Sequence, residues 1–132
     1  MTKASGRCLC GAVRYKFDPD AVLWTGYCHC ADCRRATGAP VVAYFGVRGT
    51  AWRWLGDDPA VHASGPGTER FFCPRCGTPL ARRSLRWPEE MHGLTGTLDE
   101  PESLPPKAHY NTAEQLSWLE IADDLPRHPG SD

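Results

Sequence analysis

Short apolar segments alternate with turn residues along most of this chain, and that pattern is typical of a β protein. In residues 12–17, Val13, Tyr15 and Phe17 alternate with two basic residues, so one face of the predicted strand is apolar. The continuous apolar run at residues 41–47 predicts a strand that is buried on both faces. The hydrophobic pattern therefore predicts a mainly β fold.

The remaining elements are short. Five further segments have apolar spacing that predicts strands: residues 52–54, 69–73, 79–84, 91–98 and 117–121. Two short helices are predicted, at residues 31–37 with Gly38 as the C-terminal cap and at residues 111–115. Together these elements predict one domain, residues 1–132, that is mainly β with one or two short helices.

Composition places the chain among ordinary globular proteins, and its charge is unevenly distributed. The formal net charge is −1, but residues 1–86 hold 13 Lys and Arg against 6 acids, whereas residues 87–132 hold 2 against 10. All seven cysteines lie in the basic part, where a positive field favours thiolates and an anionic small molecule. Ordinary surface arginines explain the same counts equally well. The basic residues are scattered, which argues against a nucleic-acid partner.

Neither a membrane span nor a signal peptide is visible in the sequence. No stretch reaches the roughly 18 consecutive apolar residues of a membrane helix, and the first seven residues hold no apolar core. We therefore expect a cytoplasmic protein with no membrane partner. Its cysteines would stay reduced there, available for metal binding or chemistry.

All seven cysteines fall into three short clusters, which indicates metal ligands rather than core thiols. Cys73 and Cys76 have the Cys-x-x-Cys-Gly spacing of a zinc knuckle, in which a tight turn aims two sulfurs at one ion. Cys8 and Cys10 are two residues apart, so in a strand they would face the same side. These two pairs complete a tetrahedron, which predicts a closed, structural zinc site.

The middle cluster predicts a different kind of site. Cys28, Cys30 and Cys33 can occupy three corners of a tetrahedron and leave the fourth to water or substrate, as in catalytic zinc sites. His29 lies between two of these ligands and is expected to point away from their ion.

Two other interpretations of the cysteines remain open. If His29 or another histidine completed the second tetrahedron, both zinc sites would be structural. A redox role for Cys73 and Cys76 is less favoured, because no long helix follows them. The other histidines lack ligand spacing and are expected to be hydrogen-bonded polar residues: His62, His92, His109 and His128.

Three motifs together resemble the glutathione-dependent formaldehyde-activating enzyme (Gfa) family, which includes centromere protein V, and in particular its short bacterial branch. The motifs are Cys8-x-Cys10-Gly11, Cys28-His29-Cys30-x-x-Cys33-Arg34 and Cys73-x-x-Cys76-Gly77. The resemblance extends over nearly the whole chain, through Gly96-Thr97-Leu98-Asp99 to Trp118-Leu119-x-Ile121-x-Asp123.

The resemblance implies a β-tent fold of twisted antiparallel sheets with two zinc ions. A structural zinc would be held by the residues that match Cys8, Cys10, Cys73 and Cys76. A second zinc, catalytic or labile, would be held by those that match Cys28, Cys30 and Cys33.

The activity implied by the family is that of a carbon–sulfur lyase run in reverse. As in S-(hydroxymethyl)glutathione synthase, the zinc site would join a thiol such as glutathione to a small aldehyde such as formaldehyde. The arginines nearest the clusters, Arg34, Arg35 and Arg75, are candidates to stabilise the oxyanion, and Trp118 is expected to pack as in the family. The alternative function is a non-catalytic, zinc-stabilised binding module with both zinc sites structural.

Overall fold

The structure is a computed structural model that describes residues 4–131. The predicted domain range of 1–132 includes four outer residues that lie outside this part. The described strands, β1 to β10 in chain order, are Ser5–Arg7, Val13–Phe17, Val22–Cys28, Val42–Arg48, Trp52–Gly56, Ala60–Ala63, Thr68–Phe72, Pro79–Ser84, Glu90–Leu94 and His109–Tyr110. The described part has one α-helix, α1, at Ala31–Thr37. Single 3₁₀ turns lie at Pro19–Ala21, Gly49–Ala51, Thr95–Thr97, Pro101–Ser103 and Thr112–Glu114.

The strands form two sheets, and the predicted mainly β fold is confirmed. A three-stranded antiparallel sheet has the order β1-β2-β5. A seven-stranded sheet has the order β10-β3-β4-β9-β8-β7-β6, antiparallel except for the parallel pair of β10 with β3. The long-range pairing of β4 with β9 joins the two halves of the larger sheet.

The main core lies between the two sheets and consists of stacked aromatic rings. Tyr15 on β2 and Trp52 on β5 are stacked with ring centroids 4.2 Å apart, and Phe17 meets Phe45 of β4 at 5.0 Å. Tyr15 and Phe45 are fully buried. This packing follows from the strand period of two, which sends alternate residues of β2 and β4 into the space between the sheets.

The opposite face of the seven-stranded sheet carries a smaller cluster that includes Tyr44, Leu94 and Cys33 of α1. On this face the indole of Trp24 lies across β4, directly over Gly46. A Cβ at Gly46 would lie 2.1 Å from the indole nitrogen of Trp24, so the glycine leaves the space that the indole fills. The two faces of the sheet therefore differ: one is core, and the other supports the cysteine-bearing helix.

Helix α1 begins and ends where the sequence predicts. Its N-cap is Cys30, whose sulfur accepts a hydrogen bond from the backbone N–H of Cys33 at 3.2 Å. It ends at Gly38, which has a left-handed backbone with φ of 76°, a conformation that glycine adopts without steric cost.

Several sequence predictions are wrong in their extent. The strand predicted at 91–98 ends at Leu94 and is followed by a 3₁₀ turn. The helix predicted at 111–115 is only the 3₁₀ turn Thr112–Glu114. The segment 117–121 forms no strand, because no strand of the described residues lies beside it to complete a ladder.

The structure also differs from the sequence analysis at Trp118 and at strand β3. Trp118 is 70% exposed, so the packing role expected for it is wrong. Strand β3 was not predicted at all, since Val22–Cys28 contains a polar residue and a glycine that interrupt its apolar pattern.

No helix among residues 4–131 has the length and apolar composition needed to cross a membrane.

We predict that Gly46→Ala destabilises the protein by about 1–3 kcal/mol, because the new methyl group would displace the Trp24 indole. Thermal or urea denaturation measures the loss, and a change in tryptophan fluorescence reports the displaced ring. Gly96→Ala is the matched control, since a Cβ there meets no atom within 4 Å. Equal stability of the two variants would contradict the close approach of Trp24 to β4.

Candidate metal centres and the adjoining cavity

Four cysteines from the two ends of the core converge, as the sequence analysis expected. The sulfurs of Cys8, Cys10, Cys73 and Cys76 all lie within 4.8 Å of one another. The sequence predicted Cys8 and Cys10 in a strand, and this is wrong. They lie in the turn that follows β1. The pair still converges because this turn folds back on itself, with the Gly11 N–H donating to the Cys8 carbonyl. We call this set the four-cysteine cluster.

The sulfur spacing fits a tetrahedral metal ion. The Sγ atoms of Cys8 and Cys10 are 3.6 Å apart, and those of Cys10 and Cys73 are 3.8 Å apart. Sulfurs at about 2.3 Å from one ion, at tetrahedral angles, would be about 3.8 Å from each other. The four-cysteine cluster therefore has a spacing that fits one tetrahedral metal ion.

Hydrogen bonds from Thr78 and the backbone stabilise thiolates in this cluster. The Thr78 hydroxyl lies 3.1 Å from the Cys76 sulfur and accepts a bond from the Leu9 N–H at 3.0 Å, which links the two turns. Hydrogen bonds from the hydroxyl and backbone of Thr78 lower the pKa of Cys76 to about 5. The Cys73 sulfur accepts from the backbone N–H groups of Arg75 and Cys76.

The second group of sulfurs belongs to Cys28, Cys30 and Cys33, and we call it the three-cysteine cluster. Cys28 ends β3, Cys30 caps α1 and Cys33 lies in its first turn, so the strand-to-helix turn brings all three sulfurs within 4.8 Å. No histidine or carboxylate of residues 4–131 joins them as a fourth ligand. The imidazole of His29 instead bonds to His109, so the expectation that it points away is confirmed.

Each sulfur of the three-cysteine cluster accepts a hydrogen bond from a nitrogen or oxygen donor. The Asn111 amide donates to Cys28 at 3.3 Å, the Cys33 N–H donates to Cys30 at 3.2 Å, and the Tyr44 hydroxyl donates to Cys33 at 3.3 Å. Arg70 in turn donates to the Tyr44 hydroxyl at 3.5 Å.

These donors favour a thiolate at Cys33. Hydrogen bonds from the thiols of Cys28 and Cys30 hold the pKa of Cys33 far below its usual range. The Tyr44 hydroxyl and the positive charge of Arg70 lower this pKa further. The cluster therefore has the donor set that a thiophilic metal requires, with one corner of a tetrahedron left for another ligand.

Residues 109–114, which we call the strap, hold the loop that carries these cysteines. Strand β10 pairs in parallel with the end of β3, and the His29 N–H donates to the Tyr110 carbonyl at 3.1 Å. The Glu114 carboxylate accepts from the Ala31 N–H at 3.2 Å. Asn111 has φ of 58°, the one non-glycine residue in the described part with a positive φ, and its amide reaches Cys28 from that position.

A chain of hydrogen bonds runs from Asp123 through His109 of the strap to His29 of the cysteine loop. Asp123 Oδ2 lies 2.8 Å from His109 Nε2, and His109 Nδ1 lies 2.9 Å from His29 Nε2. Both rings are fully buried, and burial lowers the pKa of His29. The hydrogen bond from His109 lowers the pKa of Asp123, so its carboxylate is ionised and accepts. With neutral rings, these bonds put the proton of each histidine on Nε2.

A cavity of about 260 Å³ adjoins the three-cysteine cluster on the same face of the sheet. Cys28 and Asn111 line it on one side, and the aromatic rings of Trp24, Trp87 and Tyr110 form its apolar walls. Its polar lining includes Arg82, Glu90 and His92. Glu90 Oε1 accepts from the Trp24 indole at 2.9 Å and lies 3.0 Å from His92 Nε2.

The arginines proposed from the sequence lie in three different settings. Arg75 forms an exposed ion pair with Asp57 at 3.2 Å, beside the four-cysteine cluster rather than the three-cysteine cluster. Arg35 lines a separate cleft, which Arg70 also lines. The Nε atom of Arg34 is buried without a hydrogen-bond partner in the described part.

Sequence reasoning missed the residues that surround the three sulfurs: Tyr44, Arg70, His109, Asn111 and Asp123. Tyr44 carries the hydroxyl group in the apolar run of β4. A hydroxyl in a strand predicted to be buried indicates that it needs a hydrogen-bond partner, and this was the one sequence feature that pointed to the site. The others are distant from the cysteines in sequence. Asp123 lies in the C-terminal motif and His109 was expected to be a hydrogen-bonded polar residue, but neither was assigned to this site.

Comparisons with known proteins agree with the cysteine motifs. The family model described as glutathione-dependent formaldehyde-activating enzyme matches residues 3–114. A Halomonas elongata protein named "Putative glutathione-dependent formaldehyde-activating enzyme" is 30% identical over 131 residues, with 88% of this chain and 79% of the relative covered. The crystal structure of a Rhodobacter sphaeroides protein is similar in fold, with a TM-score of 0.60 at 24% identity, and the match covers 72% of this chain and 87% of that one.

We predict that Cys76→Ser and Cys30→Ser have unequal effects on stability. The four-cysteine cluster joins turns 63 residues apart, so loss of one of its ligands should lower the melting temperature sharply or prevent folding. Cys30→Ser should leave the fold intact and remove one metal ion per chain. Circular dichroism melts and elemental analysis measure the two effects. Equal destabilisation by both substitutions would show that the clusters do not differ in this way.

We predict that Asp123→Asn weakens metal binding at the three-cysteine cluster by about tenfold and leaves the four-cysteine cluster unchanged. The neutral amide is a weaker acceptor for His109, so the hydrogen-bond chain to His29 no longer fixes the cysteine loop. Competition with a coloured chelator measures both affinities. Asp124→Asn is the matched control, because its carboxylate is the exposed neighbour outside the hydrogen-bond chain. Unchanged affinity in Asp123→Asn would contradict this role.

Proposed function

The chain belongs to the glutathione-dependent formaldehyde-activating enzyme family, and on that basis we propose that it joins a small thiol to a small aldehyde. Glutathione and formaldehyde are the substrates that the family name indicates. The reaction forms a carbon–sulfur bond and is the reverse of a carbon–sulfur lyase step. We assign it to the three-cysteine cluster, and we propose zinc as the metal of both clusters, since thiolate sets in tetrahedral geometry favour zinc.

The observation that supports this site is the incomplete ligand set of the three-cysteine cluster. Within residues 4–131 it offers three sulfurs and no fourth protein ligand, whereas the other cluster offers four. Structural zinc sites are closed, and catalytic sites keep a position for water or substrate. Cys28 also lines the cavity, so a small molecule in the cavity contacts the cluster directly.

Zinc at this position supplies a Lewis acid that favours the thiolate form of a substrate thiol and polarises an aldehyde oxygen. The protein's own residues stabilise the cysteine ligands as thiolates. Tyr44 and Asn111 donate to the sulfurs of Cys33 and Cys28, and Arg70 adds positive charge through Tyr44. The aromatic walls of the cavity place apolar surface beside the reacting groups.

The addition is balanced without an oxidant or a reductant. The substrate sulfur loses its proton and forms a bond to the aldehyde carbon. The electron pair of the carbon–oxygen π bond moves to the oxygen, which then takes up a proton. The product is a hemithioacetal, and for glutathione with formaldehyde it is S-(hydroxymethyl)glutathione.

We predict that the zinc-loaded protein accelerates exchange between glutathione and S-(hydroxymethyl)glutathione in the presence of formaldehyde. Two-dimensional exchange NMR measures the rate above the spontaneous background. Cys30→Ser, which keeps the four-cysteine cluster, should return the rate to that background. Elemental analysis should give two zinc ions per chain before dialysis against glutathione and one after it, because excess glutathione thiolates compete with the three cysteines for that ion.

A different result would favour the alternative function. If the protein with two zinc ions leaves the exchange rate at background and glutathione removes neither ion, the three-cysteine cluster is not reached by thiols. The chain would then be a zinc-stabilised binding module with two structural ions.

A further inference from the structure

Arg82 is a cation without a protein partner in the cavity beside the three-cysteine cluster. Its Nε atom is fully buried and has no hydrogen-bond partner among the described residues. The side chain also forms no ion pair with a carboxylate of residues 4–131. Because a half-buried charge without a partner is costly, an unpaired arginine that lines a cavity indicates a site for an anion.

The register of the sheet explains why Arg82 faces this cavity. Trp24 lies opposite Gly46, Gly46 lies opposite His92, and His92 lies opposite Arg82 across β3, β4, β9 and β8. These four residues form one row on one face of the sheet, and Cys28 lies on the same face four residues beyond Trp24. The cation and the cysteine cluster therefore border one space.

The neighbouring charges decide which anion fits. Glu90 lines the same cavity, but its Oε1 is already bonded to Trp24 and to His92. Burial lowers the pKa of His92, so its ring is neutral near pH 7 and adds no second cation. With one arginine and one glutamate in its lining, the cavity favours a monoanion over a doubly charged phosphate, which the glutamate would repel more strongly. A carboxylate matches the planar, two-donor edge of the guanidinium.

We propose that Arg82 binds a carboxylate of the thiol substrate and so makes the site selective for acidic thiols. The proposal rests on the proposed function, which brings the thiol sulfur to the three-cysteine cluster. The proposal requires a carboxylate on the thiol and none on the aldehyde. Arg82 therefore affects selectivity for the thiol substrate and not for the aldehyde. The proposal predicts that thiols with the same sulfur chemistry but no carboxylate bind less tightly.

The test compares N-acetylcysteine with N-acetylcysteine amide, which differ in the carboxylate. Binding to the cobalt-substituted protein is followed by the change in the visible spectrum of the metal. In the wild type the acid should bind about tenfold more tightly than the amide, the value of one charge-assisted hydrogen bond. Arg82→Gln should abolish this preference, and Arg82→Lys should retain part of it because the charge remains.

Arg83→Gln is the matched control, since Arg83 is the next residue on β8 and forms an exposed ion pair with Glu69 at 2.9 Å. It should keep the full preference for the acid. The proposal is overturned if Arg82→Gln, still folded by its melting curve, keeps that preference as well. If Arg82→Gln does not fold, a partial loss of the preference must appear in Arg82→Lys, and its full retention there overturns the proposal.

A second ligand separates failure of this proposal from failure of the proposed function. S-methyl-N-acetylcysteine keeps the carboxylate but has no free thiol, and its binding is measured by quenching of tryptophan fluorescence. If no thiol changes the cobalt spectrum while this ligand binds the wild type and Arg83→Gln but not Arg82→Gln, the carboxylate site stands and the proposed function fails. Equal binding to all three proteins overturns the carboxylate site.

Discussion

Seven sulfurs gathered within two small clusters repel one another once they lose their protons, and the structure around them compensates that charge. The four-cysteine cluster uses donors that are local to its turns: the backbone N–H groups after Cys73 and the hydroxyl of Thr78. The three-cysteine cluster has one such local donor, the N–H of Cys33. Its other donors, Tyr44 and Asn111, come from a strand and from the strap. The two sites therefore depend on different parts of the fold.

The seven-stranded sheet separates these tasks by its two faces. Alternate residues of β4 show the division, since Phe45 and Val47 join the aromatic core while Tyr44 and Gly46 face the cysteine helix. One face is completed by the three-stranded sheet and needs only apolar contact. The other face has a single short helix above it, which leaves room for a cavity between the sheet and the strap. A site placed on a strand-rich face is held more rigidly than one built on loops alone.

The sequence predicts those features that depend on residues close together in the chain. The bounds of α1 follow from Cys30 and Gly38, and the two sulfur clusters follow from cysteine spacing. Cys8 and Cys10 show how a correct conclusion can rest on a wrong element, because a turn brings their sulfurs together as well as a strand would. The cysteine spacing predicts that the sulfurs converge, but it does not determine the backbone conformation that brings them together.

What the sequence does not reveal is the long-range part of the site. His29 and His109 are 80 residues apart, and Asn111 and Cys28 are 83 apart, so no local pattern joins them. The segment 117–121 was predicted to be a strand, but it pairs with no strand of the described residues. Whether a segment with strand-like spacing becomes a strand depends on pairing with distant residues, and the local sequence pattern does not predict that pairing.

The strap makes the three-cysteine cluster depend on the C-terminal part of the chain. Residues 126–130 bond to the outer side of β10 and its following turn, through the carbonyls of Pro126, His128 and Gly130. The inner side of the strap bonds to the cysteine loop through the side chains of His109, Asn111 and Glu114. Formation of the second metal site thus requires the C-terminal part to be docked, whereas the four-cysteine cluster is complete once β7, β8 and the first turn have met.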